Sequence, residues 1–344
     1  MRSAYVASAP PGPGTAGDGI YVFNSDTWTA AGSFVPCPGA QFVVVHPNGR
    51  FVYAVQALDG EGQISAFSIG SGGQLQFLGA ESSGGALPCY LAVAPSGRQL
   101  YCANYGDGSI SVHALGLDGR LCPELQTLSS EDVPTGAVPE RQEGRHAHCA
   151  VPDHSGRFLL SADLGTDRIS TYRTNARGLL ERASFLQLPN GSGPRHIAFG
   201  ANSNVLISCE LNSTVAACRF HPATGELEFL GSHEATGKRL SSPNFPAHVA
   251  TGTSGRFFYV SNRGADTLSC FEVTPRGPRL LSETSSGGCC PRHFVLAGDR
   301  IYVANQSSGN IFVVPLDPET GQLGSAELAI EGIPRPACIA IAEG

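Results

Sequence analysis

The strongest constraint in this chain is a unit that recurs six times. It is plainest in "PCYLAVAPSGRQLYCANYGDGSISVHAL" (88–115), "HAHCAVPDHSGRFLLSADLGTDRISTYR" (146–173) and "PAHVATGTSGRFFYVSNRGADTLSCFEV" (246–273), and it returns over 38–69, 194–220 and 291–316. Each copy has a short apolar run, a Gly-containing turn, a second apolar run ending near Asn, Asp or Glu, and then an alternating third run. A weaker fourth run follows. Short runs bounded by turn residues read as strands, and no 3.6-residue period extends over ten residues. With Gln41, Tyr90, His148, His196, His248 and His293 taken as equivalent positions, the spacing is about 45–58 residues. That is the length of a four-stranded blade in a β-propeller. The ends complete the ring: 3–34 supplies three strands without a first, and "PACIAIAEG" (336–344) supplies a first strand alone. The expectation is an all-β, seven-bladed propeller of antiparallel blades, one domain over 1–344. The C-terminal strand would close the N-terminal blade and remove an exposed sheet edge.

Composition narrows the partners. The net charge of -7 argues against nucleic acid, and Lys238 is the only lysine, so arginine carries nearly all the positive charge. Arginine offers a flat fork of donors matched to carboxylate and phosphate. There is no apolar run long enough to span a bilayer and no apolar stretch typical of a leader near the first residues, so a cytoplasmic protein without a membrane partner is expected. The eleven cysteines form no C-x-x-C pair and read as buried thiols, Cys289-Cys290 being the only adjacent pair. A monomer or weak dimer is expected.

In an up-and-down blade, the start of strand one and the end of strand two share a face. The Gly-Arg turns carrying Arg50, Arg98, Arg157 and Arg256 therefore lie on the opposite face. The shared face would gather Tyr90, His148, His196, His248 and His293, with His146, Arg195 and Arg292 beside them. Asn104, Asp163, Glu210, Asn262, Arg263 and Asn305 would join them from the strand-two ends. One mouth of the central channel is the natural ligand site. Asn and Asp at strand ends also cap turns through the backbone, which is the simpler reading of Asn104, Asp163 and Asn305. His146-x-His148 has a spacing that zinc or copper sites use, but the arginines beside it oppose a cation, so no metal is expected. No Walker loop, Rossmann fingerprint or G-x-S-x-G elbow is present, and no cofactor is expected. The insertion at 129–145 is the longest, and loops of that size often carry function.

Along essentially its whole length the chain resembles the lactonase family of seven-bladed propellers, which includes bacterial-type 6-phosphogluconolactonases and fungal carboxymuconate-cyclising enzymes. The resemblance rests on "ANYGDGSISV" (103–112), "PERQ" followed by "HAHCAVPDHSGRFLLSADLG" (139–165), "GSGPRHIAF" (191–199), "SNRG" (261–264) and "PRHFVL…IYVANQSSGNIFVV" (291–314). It implies that His148, Arg195, Glu210 and Arg263 are the catalytic residues. Four positions depart from the family pattern: Tyr90 for histidine, Arg145 for proline, His248 for glutamate and Ala265 for histidine. Those changes put the usual substrate in doubt.

The residues suit lactone hydrolysis. A histidine, or Glu210, would activate water, and Arg195 and Arg263 would hold an acidic substrate and stabilise the oxyanion. His146, His196, His248, Arg292, His293 and Tyr90 would line the substrate site. The expected partner is a small acidic lactone or carboxylate, most simply 6-phosphogluconolactone. A cycloisomerase closing a lactone from a cis,cis-muconate-type dicarboxylate would use the same groups. A non-catalytic propeller scaffold would leave them dispensable.

Overall fold

A computed structural model describes residues 2–9, 18–58, 62–129 and 136–342. These residues form seven four-stranded antiparallel sheets arranged as a propeller. We number the blades 1–7 by their innermost strands: Pro336–Ala342, Ala40–Val45, Pro88–Val93, Ala147–Pro152, Pro194–Phe199, Phe245–Thr251 and Pro291–Ala297. Blade 1 takes its inner strand from the C-terminal end, with Ser3 paired to Ala342 and Tyr5 to Ala340. The ring is closed as the repeat predicts.

Burial follows the distance from the axis. The inner strand Pro194–Phe199 is buried at every position, whereas the outer strand of the same blade, Leu227–Glu234, is exposed or half-buried throughout. Inner strands touch neighbouring blades on both sides, so they read as continuous apolar runs. Outer strands meet water, hence the weak fourth run of each repeat. In the turns between strands one and two, Gly97 and Gly156 both sit at φ 70, a left-handed conformation that glycine adopts without penalty. Adjacent blades are tied by buried phenols: Tyr5 donates to the Gly73 carbonyl and Tyr53 to that of Gly119, each at 3.0 Å.

Candidate active site

Every inner strand enters the propeller through a β-bulge. In blade 5, Pro194 pairs with Cys209 and His196 with Ser208, which leaves Arg195 unpaired. The same break leaves out His148 in blade 4, Arg292 in blade 7, Cys89 in blade 3 and Gln41 in blade 2. In blade 6 it spans Ala247 and His248. A bulge frees one residue from the ladder and re-aims its side chain. These five single unpaired residues all line one cavity of about 300 Å³ at the channel mouth.

The bulges correct the equivalence drawn from the repeat. Tyr90, His196 and His293 are not counterparts of His148; they follow the bulge and pair normally, while Cys89, Arg195 and Arg292 are its counterparts. A one-residue shift in a strand exchanges which side chains share a direction. A bulge leaves the apolar alternation intact on either side, so a period-based alignment slides past it.

A second ring comes from the position just beyond the strand-two ends. Cys209 pairs with Pro194, as Asn104 pairs with Pro88 and Asn262 with Pro246. Glu210 therefore stands one place further on, level with Tyr105 and Arg263, and all three line the cavity. The strand-end amides face elsewhere and act as pins. Asn104 Nδ2 donates to the Ser83 carbonyl at 3.2 Å and Asn305 Nδ2 to that of Ser286 at 3.0 Å, while Asp163 Oδ1 accepts from the His146 amide at 2.8 Å. Of the three, Asp163 caps its own turn, its Oδ1 also accepting from the Gly165 amide at 3.0 Å, whereas Asn104 and Asn305 tie their strand ends to the preceding blade.

Glu210 is the hub, only 4% exposed. Its Oε2 lies 2.9 Å from Arg195 Nε and 2.6 Å from Arg263 Nη2, and its Oε1 lies 2.8 Å from Arg141 Nη2. Burial alone would raise its pKa, but Arg263 and Arg195 hold the carboxyl well below its ordinary range. The Arg195 guanidinium is depressed by burial and by Arg263 and Arg292, against Glu210. Its ion pair keeps it charged at neutral pH.

Arg141 belongs to the 129–145 insertion, and its role was not legible beyond the "PERQ" string. The next residue, Gln142, is fully buried. Its Nε2 donates to the Leu164 carbonyl and to Asp167 Oδ1, each at 2.8 Å, and its Oε1 accepts from the Val138 amide at 3.0 Å. That anchor carries Arg141 over the cavity.

Beneath the cavity the residues after the bulges meet across the channel. Phe42 lies 4.5 Å from Tyr90 and 5.3 Å from His293 between ring centres, and His248 stacks on His293 at 3.9 Å. His148 lines the cavity and its ring centre is 5.3 Å from that of His196. Burial, then Arg195, lowers the pKa of His148 well below its ordinary value, so the ring is neutral at physiological pH. Cys89, whose thiol burial pushes up to about 12, lies 3.7 Å from His148 Nδ1.

Of the residues chosen from the sequence, His148, Arg195, Glu210, Arg263 and Arg292 converge on the cavity. Tyr90, His196, His248 and His293 form the layer below. His146 is engaged elsewhere, with Nε2 3.0 Å from Glu143 Oε1 and Nδ1 2.8 Å from the Tyr105 carbonyl. Of the four departures from the family pattern, none is a lining residue. A larger groove of about 540 Å³ lies at the opposite end of the inner strands, among turns of blades 4, 5 and 6, and it gathers no comparable set of charges.

Fold and site together define a propeller whose channel mouth presents clustered arginines around a buried carboxylate and a neutral imidazole. The family model "Lactonase, 7-bladed beta-propeller" matches residues 3–341, and the chain belongs to that family of lactonase enzymes. A 6-phosphogluconolactonase of Bacillus subtilis (strain 168) is 31% identical over 335 residues, covering 94% of each chain. The solved structure of a periplasmic gluconolactonase from Pseudomonas aeruginosa superposes with a TM-score of 0.88 at 26% identity over 99% of each chain. A putative 6-phosphogluconolactonase from Bacteroides fragilis gives 0.87 at 26% identity, covering 99% of this chain and 98% of the other.

Proposed function

We propose that the protein hydrolyses an acidic sugar lactone, 6-phosphogluconolactone in the first instance, without a metal ion. One observation carries the substrate class. Arg141, Arg195, Arg263 and Arg292 surround the cavity against the single carboxylate of Glu210, an excess of positive charge that favours a doubly negative ligand and that such a ligand would largely offset. The Bacillus subtilis relative's name supports the same substrate. It would place the protein in the pentose phosphate pathway and fits a cytoplasmic location.

His148 is the base in this reading. A buried neutral imidazole keeps its lone pair free for the proton of an attacking water. Glu210 is unsuited to that task because both oxygens are held by guanidinium groups; it aligns the arginines instead. Water adds to the ring carbonyl and its proton passes to His148. Arg195 and Arg263 hold the resulting oxyanion. Collapse of the tetrahedral species breaks the bond to the ring oxygen, which takes the proton from His148, and the product is the open hydroxy acid. Arg141 and Arg292 hold the phosphate or carboxylate of the substrate.

A panel of phosphorylated, carboxylated and neutral sugar lactones, assayed with and without chelator, tests this directly. Turnover that favours anionic lactones and survives chelation is expected. Strict dependence on an added metal, or closure of a cis,cis-muconate-type dicarboxylate in place of lactone opening, would contradict it.

A further inference from the structure

The layer beneath the cavity holds a hydrogen-bond chain whose direction can be deduced. His196 Nε2 lies 3.1 Å from Arg195 Nη1, and His196 Nδ1 lies 2.8 Å from His248 Nδ1. A guanidinium only donates, so His196 Nε2 must be the bare nitrogen. Burial, then Arg195, keeps the His196 ring neutral, so its one proton sits on Nδ1. Two ring nitrogens this close share a single proton. His248 Nδ1 therefore accepts, and the proton of His248 is on Nε2. His293 Nδ1 accepts from the Ile339 amide at 3.3 Å, so this ring also carries its proton on Nε2. Stacking on His293 and edge contact with Phe294, at 4.9 Å, fix the plane of His248.

We infer that His196 and His248 are positioning residues, a one-way chain from Arg195 through His196 to His248 that fixes the guanidinium plane with Nε facing Glu210. The inference rests on the reading of Arg195 as an oxyanion donor. Arg195 is 2% exposed, so without the chain Nη1 would lose the partner that His196 Nε2 supplies. A proton on His196 Nε2 would set donor against donor. The arrangement thus requires a specific neutral tautomer, and the Nδ1–H form is the less common one for a free imidazole.

Imidazole ¹⁵N NMR on the full chain at neutral pH reads these protons directly. The expected result is His196 as the Nδ1–H tautomer, with His248 and His293 as Nε2–H. Finding His196 as Nε2–H or as the doubly protonated cation would overturn the proposal. Kinetics supply the second arm. His248→Asn keeps an acceptor where Nδ1 stood, whereas His248→Phe fills the space without one. Lactone kcat should fall about tenfold in His248→Phe, with KM little changed, and recover in His248→Asn. Equal rates in the two folded variants would also overturn it. Should His248→Phe fail to fold, the tautomers of the unmodified chain still decide. A wild-type chain inert towards every lactone would sink the hydrolase reading alone, leaving the tautomer result to stand or fall by itself.

Discussion

Glu210 holds three guanidinium groups with two oxygens; Glu210 and Arg195 are buried, Arg263 is largely so, and Arg141 reaches the solvent. A charge buried with its partners is costly to isolate, because the partners keep their desolvation penalty once it is gone. Glu210→Gln should therefore destabilise the fold by about 3–5 kcal/mol, read by denaturant melts. Its lactonase rate should fall as well, since the arginines lose their common anchor. Little change in either quantity would mean that the arginines are held by other contacts. His148 makes a separate prediction. Its folded pKa is lowered, so the acid limb of kcat/KM should lie well below the free-imidazole value of about 6.5, leaving the rate flat around neutrality. An acid limb centred at or above that value would exclude a buried neutral base.

Among the elements, the bulged entrances and the 136–145 segment do most to shape the site. Gln142 contributes no cavity atom, yet its three hydrogen bonds hold the segment that carries Arg141. Gln142→Ala should raise KM for an anionic lactone several-fold while kcat changes less, because the lost group positions a binding arginine and not the base. A fall in kcat with KM unchanged would move Arg141 into the chemistry. The blades, their order and the closing strand were legible from apolar runs and turn residues, because a two-residue period survives in every copy. The bulges were not, since an unpaired residue changes the direction of side chains without changing composition. Arg195 stands out by its charge and its motif, whereas Cys89 reads as a buried thiol and the apolar alternation puts Tyr90 in its place. Glu210 aligns with Asn104 and Asp163 in the sequence by polar character alone, one place short of the level that strand pairing gives it. Arg141 escaped notice because its link to Glu210 spans 69 residues and depends on a loop anchored by a buried amide.

Across the whole molecule, the burial of histidines along the channel has a cost that depends on pH. His148, His196, His248 and His293 are all lowered by burial, the first at the cavity and the other three in the layer beneath it. Below about pH 6.5 the unfolded chain protonates these rings and the folded one does not. The unfolded state then binds more protons, so stability falls with acidity, by about 1.4 kcal/mol per pH unit for each ring that stays neutral. Glu210 acts in the same direction lower down, since its depressed pKa stabilises the fold above the ordinary carboxylate range and that gain is lost on acidification. Chemical denaturation at a series of pH values from 7 to 4 should show this decline. His293→Phe, which removes one such ring, should flatten the slope. A stability independent of pH over that interval would mean that the histidines take up protons in place.

The central claim is that a propeller mouth of arginines around Glu210, with His148 as base, opens an anionic lactone. The most direct measurement is the rate of 6-phosphogluconolactone hydrolysis above the spontaneous rate, in chelator, for the wild type and for Arg195→Ala. Clear wild-type turnover and a loss of roughly 10²–10³ in the variant, with its fold intact, are predicted. Wild-type hydrolysis no faster than the uncatalysed reaction, or an Arg195→Ala variant that keeps full activity, would contradict the account.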